Sequence, residues 1–495
     1  MDSKSLSARC RELLQFLAST KGDLANVTGP PSMLAPLSVV EVGRCWAQRP
    51  AVFAAPALEP DASRRCLLVL RMVLIALRTQ MYVGGAPGTS IKKPLNAFLG
   101  ELFLAEWTDE RPHGAGDGSG SSNSRSSDGS GSGSDSAGSS CTSLHTNHNR
   151  HASNLSRTTT AASSSPSLSS TSSSTLSSSS SSTSCTCGSD RITTRLVAEQ
   201  VSHHPPITAM HIADEAHGVR ADGYARVEMT FAGAVQVRQV GHAVVRVDAY
   251  DETYLIPLPD IRVRGFLSGR LYPEITDTYH VVGSNGYAAE IAFSGQGFAW
   301  GGKRNAFKAK VYDRAPEGSG NTTTNSNSNR TVLYTVEGVW SEGWTTRDAR
   351  TGAVLERYEV DAPANAPAPI VLPDVDEQDP WESRRAWHDV IDGITRGDLG
   401  QTVAEKTKIE QAQRRMRAQE AAAGTDWSPL LFRSSSSNSI DSHPDSKAAL
   451  ETFRQLAAGT GWQLHDDRTK GVWRVDEAKL KTLQRPFRGK LTPLG

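Results

Sequence analysis

The sequence predicts an α+β chain that is mainly β, an antiparallel sheet curled into a barrel between helical segments. Three observations predict it. From Arg195 to about Val360 apolar and polar residues alternate, as in "VQVRQV", "IRVRG", "FKAKVY" and "RYEV", with Gly, Asn and Pro between the runs. Many short strands at such spacing favour an antiparallel barrel. On either side of that region the apolar residues recur at helical spacing. Residues 112–190 are dominated by Ser, Gly and Thr and cannot bury a core, so they read as a disordered insertion.

Bulk composition excludes several classes. The 495 residues carry 53 Lys+Arg against 53 Asp+Glu, a formal net charge of +0. No global field draws the chain to nucleic acid, and recognition of any anion must come from a local cluster. The cysteines Cys10, Cys45, Cys66, Cys141, Cys185 and Cys187 form no CxxC pair, so neither a zinc finger nor a disulfide framework is indicated. "MDSKSLSARC" has no apolar core of a secretory signal. The most apolar stretch, Cys66 to Leu77, is interrupted by Arg71 and is shorter than the roughly 20 residues a span needs. The expectation is a soluble, reduced, cytosolic protein.

In chain order, "SLSARCRELLQFLAST" places Leu6, Cys10, Leu13, Leu14 and Leu17 on one helical face. This helix, within residues 1–30, is either docked on a core or a mobile lid or membrane-surface helix. Residues 31–90 read as a helical segment, built on "SVVEVGRCWAQRP" and "ASRRCLLVLRMVLIALRTQMY". Residues 91–111 and 191–372 supply the barrel. Residues 373–495 turn helical again, and "QTVAEKTKIEQAQRRMRAQEAAAG" stops at Gly424. Short polar tracts at Glu317–Arg330 and Arg433–Ser446 read as loops.

Three motifs carry candidate chemistry. In "AEQVSHHPPI", His203 and His204 precede Pro205 and Pro206. Neighbours on a strand point to opposite faces, so both rings meet one ligand only in a bend, which the prolines favour. No metal-ligand spacing surrounds them, and Ser202 lacks a strand–GxSxG–helix context. Anion binding and simple surface packing both remain compatible with this segment. In "IKKPLNAFLGELF", Lys92 and Lys93 stand before a proline turn, with Asn96 as a cap or turn residue. Lys406, Glu410 and Arg414 are spaced i, i+4, i+8 and share one helix face, with about 40° of drift per step. They form either an exposed charge ladder or a polar clamp. "GFAWGGKR" mimics a phosphate loop. Arg304 stands where Ser or Thr is needed, and "NAFKAKVYD" alternates like a strand, so nucleotide binding is rejected.

Taken together, "EQVSHHPPI", "KKPLNAFLGELF", "GKRNAFKAKVY", "VEGVWSEGW", "PWESRRAWHDV" and the Lys406/Glu410/Arg414 helix resemble the oxysterol-binding protein family of lipid-transfer proteins. The matches run in the expected order over nearly all of the chain outside the Ser-rich insertions. No upstream pleckstrin-homology or ankyrin region and no two-phenylalanine acidic motif is seen, so the chain resembles the short, single-domain branch. The resemblance implies a near-complete antiparallel β-barrel enclosing a hydrophobic tunnel, closed by an N-terminal lid. It implies a carrier, not an enzyme, that needs no cofactor or metal. Its ligands would be phosphatidylinositol 4-phosphate and, in competition, a sterol or other neutral lipid. It would work from the cytosol, touching membranes such as endoplasmic reticulum and Golgi. A sensor that sequesters the phosphoinositide without transport is the alternative.

Carried over residue by residue, His203, His204 and Arg414 would hold the 4-phosphate. Lys93 and Lys406 would add charge, Glu410 would accept from a ring hydroxyl, and Asn96 would fix the loop. Trp46, Gln80 and Gln239 fall where tunnel residues occur. Met81 and Ala225 depart from the family's tyrosine and asparagine, and Tyr82 stands one place on.

Overall fold

The computed structural model describes residues 33–85, 87, 89, 91–109, 191–231, 235–265, 271–295, 303–314, 330–425, 427–435, 444–458 and 472–495. The expected N-terminal helix and the Ser-rich insertion lie outside the described residues. Near the start come β1 (Leu34–Ser38), α1 (Arg44–Ala47), α2 (Pro50–Leu58), α3 (Ala62–Met81), β2 (Lys93–Leu95) and β3 (Leu102–Asp109). Fourteen further strands make up the central region. They are β4 (Ile192–His203), β5 (Pro206–Asp214), β6 (Val219–Phe231), β7 (Val235–Val247), β8 (Glu252–Pro257), β9 (Ile261–Arg264) and β10 (Tyr272–Ile275), then β11 (Asp277–Gly283), β12 (Tyr287–Ser294), β13 (Ala306–Asp313), β14 (Val332–Val339), β15 (Gly343–Asp348), β16 (Val354–Glu359) and β17 (Ile370–Val371). The C-terminal region holds α4 (Ser383–Ala386), α5 (His388–Arg396), α6 (Leu399–Ala423), β18 (Phe432–Ser435), α7 (Pro444–Ala458), β19 (Val472–Val475) and α8 (Glu477–Thr482).

The central sheet is antiparallel, as the period-two pattern predicts. Its order is β16-β15-β14-β13-β12-β11-β8-β7-β6-β5-β4-β3-β17, with β9 branching from β7 and carrying β10. Among the described residues this path does not close. Its ends among those residues are β16 and β17. The segment that mimicked a phosphate loop runs into β13, which pairs with β12 and β14 and opens no helix.

Two expected helical regions also contain strands. Leu34–Ser38 pairs in parallel with Lys93–Leu95. Pro36 sits in this stretch; it lacks an N–H and keeps its predecessor extended, while Leu34 and Leu37 are buried. In the C-terminal region β18 and β19 form a small antiparallel pair.

Helix α3 explains how an arginine sits in the most apolar stretch. It is capped by Asp61, whose side chain accepts from Arg64 N. Its apolar residues join the main core, which includes Phe103, Val281, Ile291, Phe307 and Trp344 of the sheet. Its polar residues reach separate strands. Arg71 Nε donates to Glu356 Oε1 at 2.8 Å, and Ser63 Oγ lies 3.1 Å from the Tyr334 hydroxyl. Arg65 Nε donates to Glu252 Oε2 at 2.9 Å, and the Tyr254 hydroxyl donates to the same oxygen at 2.6 Å.

The opposite face of β4–β6 is covered by the C-terminal region. Val197, Val201, Ile207 and Tyr224 pack with Trp387, Val390, Ile409 and Met416. Helix α7 covers β7 and β8: Phe453 stacks 4.3 Å from the buried His242 ring, whose pKa burial pulls down to about 3. Gly397 and Gly424 end α5 and α6 in the left-handed conformation, with φ of 74° and 64°. The stop expected at Gly424 is where α6 ends.

The Arg65–Glu252 pair has side chains only 6% and 8% exposed. Removing one partner leaves a buried charge uncompensated. Arg65→Ala is expected to lower unfolding stability by about 3–5 kcal/mol in urea titration. A loss under about 1 kcal/mol would mean that this pair does not hold α3 on the sheet.

Candidate functional site

A cavity of about 330 Å³ opens between the sheet and the first helices. The alternation of the strands decides its wall. Thr208, Met210 and Ile212 of β5, Ala221, Gly223, Ala225, Val227 and Met229 of β6, and Val235, Val237 and Gln239 of β7 line it. These residues alternate along each strand, while at the close crossing of β6 and β7 Asp222, Tyr224, His242 and Ala243 also reach the cavity. The wall is thus mostly apolar, and Ala221, Gly223 and Ala225 keep it low. Gly241, beside them on β7, has φ +147°, and a Cβ there would lie 2.0 Å from the Tyr224 carbonyl. Only glycine fits that close crossing of β6 and β7.

The inner polar groups are few. Trp46 comes from α1, Gln80 from the end of α3 and Gln239 from β7, and all three line the cavity. Gln239 Nε2 donates to the Pro259 carbonyl at 2.6 Å. Gln80 Nε2 reaches Gln239 Oε1 only at 3.5 Å. Met81 lines the cavity, whereas Tyr82 is absent from its wall, its ring 6.0 Å from that of Trp340. Ala225 lines the wall with a methyl where an amide was expected.

The rim is charged. Lys92, Lys93, Asn96 and His203 line it, and Lys93 Nζ donates to Asn96 Oδ1 at 2.8 Å. Lys92 is more exposed than Lys93. Strand β4 ends on His203 and β5 begins at Pro206, with these two in register, so His204 and Pro205 form the turn. The bend expected from the prolines is there, and the rings of His203 and His204 lie 4.7 Å apart, edge to face. His203 Nδ1 donates to the Ala97 carbonyl at 3.1 Å. A carbonyl only accepts, so this bond places the proton on Nδ1 and leaves Nε2 as the second polar atom. Burial holds His203 below its usual pKa, and the His204 charge adds to that. His204 itself is exposed and is not part of the cavity wall.

Helix α6 brings the third group. Lys406 is buried and paired with Glu410 on the next turn, and the Glu410 carboxylate acts on His203. Arg414 is exposed. Two steps of i+4 have turned it about 80° from Lys406. Arg417 lies about 20° from the Lys406 meridian, and its charge acts on His203. The sequence reading missed Arg417, although spacing by eleven residues, three helical turns, marks it. Gln200, Thr208 and Met210 were missed as well. Their strand alternation could have identified Thr208 and Met210.

The loop that carries Lys93, Asn96 and Ala97 is pinned by Glu101. Its Oε2 accepts from Phe98 N at 3.1 Å and from Trp387 Nε1 at 2.8 Å. Gly100 N and Gln200 O, and Gln200 N and Glu101 O, are joined at 2.9 Å each, which ties the loop to β4. Burial raises the Glu101 carboxyl from its ordinary 4.5 to about 7. Among the described residues, no group of three or more His, Cys, Asp or Glu is placed to hold a metal ion, and no helix is long and apolar enough to cross a membrane.

Residues 12–392 match the family model described as oxysterol-binding protein. The chain is 34% identical over 483 residues to the probable transporter efuK of Hormonema carpetanum, covering 97% of this chain and 54% of that protein. It therefore spans about half the length of that relative. It is 29% identical to Protein KES1 of Mycosarcoma maydis, covering 84% of this chain and 85% of that protein. Among solved structures it resembles the Osh1 ORD domain in complex with ergosterol (TM-score 0.56, 16% identity, 95% and 88% coverage). It also resembles the Osh3 ORD of Saccharomyces cerevisiae in complex with PI(4)P (TM-score 0.52, 16% identity, 90% and 93% coverage). At that identity these structures bear on the fold alone.

The Glu101 carboxyl predicts a pH effect of definite sign. Folding favours its protonated form, so its stability contribution is complete below about pH 4.5 and is lost as pH rises through about 7. Glu101→Gln is expected to flatten the stability–pH curve in that window, followed by chemical denaturation at several pH values. An unchanged slope would mean that Glu101 is not the group that titrates there.

Proposed function

Because the chain belongs to the oxysterol-binding protein family, we propose that it carries phosphatidylinositol 4-phosphate in one direction and a sterol or other neutral lipid in the other, between membranes and without vesicles. The observation that carries this reading is the apolar cavity with Lys93 and His203 together at its rim. A phosphomonoester brings roughly −1.5 to −2 charges at neutral pH and three strong acceptor oxygens. Lys93, Lys406, Arg414 and the two histidines answer that charge, Glu410 accepts from a ring hydroxyl, and Asn96 holds the Lys93 ammonium in place. The phosphate charge favours the imidazolium, so His203 Nε2, the nitrogen not used on Ala97, takes up a proton and donates to a phosphate oxygen. The acyl chains fill the apolar wall.

A neutral lipid occupies the same wall and so excludes the phosphoinositide. Its polar end meets Gln80, whose weak 3.5 Å bond to Gln239 is easily exchanged for a ligand oxygen. With Met81 and Ala225 in the wall, Gln80 and Gln239 do most of the polar recognition there. In this reading the sheet works as a near-complete barrel around one lipid. The protein works from the cytosol at membrane surfaces such as endoplasmic reticulum and Golgi. No bond is made or broken. That efuK is described as a probable transporter is in keeping with this.

His203→Ala combined with His204→Ala is expected to abolish extraction of phosphatidylinositol 4-phosphate from liposomes while sparing sterol extraction. Undiminished phosphoinositide uptake would sink the assignment of the clamp. Binding that survives without net transfer between donor and acceptor vesicles would make the wild-type protein a sensor and not a carrier.

Gln80→Leu is expected to weaken sterol binding about tenfold, the loss of one hydrogen bond to a buried hydroxyl, and to leave the phosphoinositide unaffected. Competition with a fluorescent sterol reads the difference. Equal loss of both ligands would place Gln80 in the general architecture of the cavity.

A further inference from the structure

The outer face of the β9–β10 pair gathers cations on a chain whose formal net charge is +0. Alternation gives the pair two faces. On the inner side, Ile261, Val263, Leu271 and Pro273 line the cavity. On the outer side, Arg264 stands opposite Tyr272, and Arg262 opposite Glu274. Arg264 Nε donates to Glu274 Oε2 at 2.6 Å, and Glu274 is the one carboxylate of that face among the described residues. The Arg304 guanidinium, from the segment leading into β13, lies 3.7 Å from the centre of the Tyr272 ring. Ile91 N donates to the Leu271 carbonyl at 3.3 Å, which brings Lys92 alongside. Arg262, Arg264, Arg304 and Lys92 are all exposed.

Four cations around a single carboxylate leave this face positive. Cations nearby are matched one to one: Arg238 by Glu228, Lys303 by Glu342 and Lys310 by Glu290. Asp260 and Asp277 stand at the base of the pair, beyond Ile261 and Ile275. Guanidinium groups shed water easily and match phosphate oxygens in pairs, and an aromatic ring beside them suits the boundary between headgroups and acyl chains. Position adds to charge. The residues backing this face belong to the cavity wall, and Lys92 belongs to the cavity rim as well. A bilayer lying on this face therefore meets the rim, whereas an acidic polypeptide would answer the charge and gain nothing from the position.

We propose that the outer face of β9 and β10, with Arg304 and Lys92, docks the protein on an anionic phospholipid surface and sets the cavity rim against it. This rests on the reading of the cavity as a lipid site, while the charge of the face is the same whichever lipid is held. Attraction of this kind is screened over a Debye length, so docking weakens as salt rises.

The test sediments the full chain with phosphatidylcholine vesicles that contain or lack phosphatidylserine, all free of phosphoinositide and sterol. Binding is expected to require phosphatidylserine and to fall with added salt. Arg262→Gln combined with Arg304→Gln is expected to lower the partition by about tenfold or more. Arg262→Lys with Arg304→Lys keeps both charges and is expected to retain most of it. Lys303→Gln, at a position already matched by Glu342, is the control expected to change nothing. Should the Gln pair fail to fold, Arg262→Gln alone is expected to weaken the partition about fivefold. Uptake of a fluorescent sterol from solution, without vesicles, reads the cavity separately. A loss confined to sedimentation supports the docking face, and absence of uptake by the wild type counts against the cavity reading instead. The face is excluded as a membrane surface if the Gln pair sediments like the wild type, or if the wild type binds both kinds of vesicle equally. Binding of polyglutamate in place of the vesicles assigns the face to an acidic protein and overturns the proposal as well.

Discussion

The buried carboxyl of Glu101 is the constraint on which the rim depends. It joins Phe98 N of its own loop to the indole of Trp387, 286 residues away in sequence. The loop so held carries Lys93 and Asn96 to the cavity mouth and presents the Ala97 carbonyl to His203. That carbonyl decides which imidazole nitrogen bears the proton. A single desolvated acid thus couples the C-terminal helices to the tautomer of a rim histidine. Its raised pKa measures what the burial costs.

The cavity exists because the inner face of the sheet is filled unevenly. Helix α3 packs Val69, Met72, Val73 and Leu77 into the core shared with β11 to β16. Beyond its last turn, β5, β6 and β7 present methionines, alanines and glycines that leave room. On their other face, β4 and β5 pack Val197, Val201 and Ile207 beneath the C-terminal helices. Every other residue therefore serves a different layer, and a chain buried on both faces still has one hollow.

Charge is handled by distance from that hollow. Lys93 and His203 stand on its wall, Lys406 is buried and pairs with the half-buried Glu410, and Arg414 stands exposed further along the same helix. Arg417 returns to the Lys406 meridian because eleven residues close three turns. The outcome is a gradation from apolar wall to charged rim, within one sheet and the helices on it.

Much of this was legible in the sequence. Period-two alternation identified the strands, helical spacing identified α3 and α6, and Gly424 marked the end of α6, because each depends on residues near one another in the chain. The prolines after His204 announced the turn for the same reason, and the resemblance to a family carried Lys93, Asn96, Trp46, Gln80 and Gln239, all of which line the cavity. Only the tertiary structure decided the rest. It showed that Leu34–Ser38 pairs with Lys93–Leu95, that Tyr82 packs against Trp340, and that Glu101 joins its loop to Trp387. Each of these depends on contacts between segments far apart in sequence, and local propensity contains no term for them.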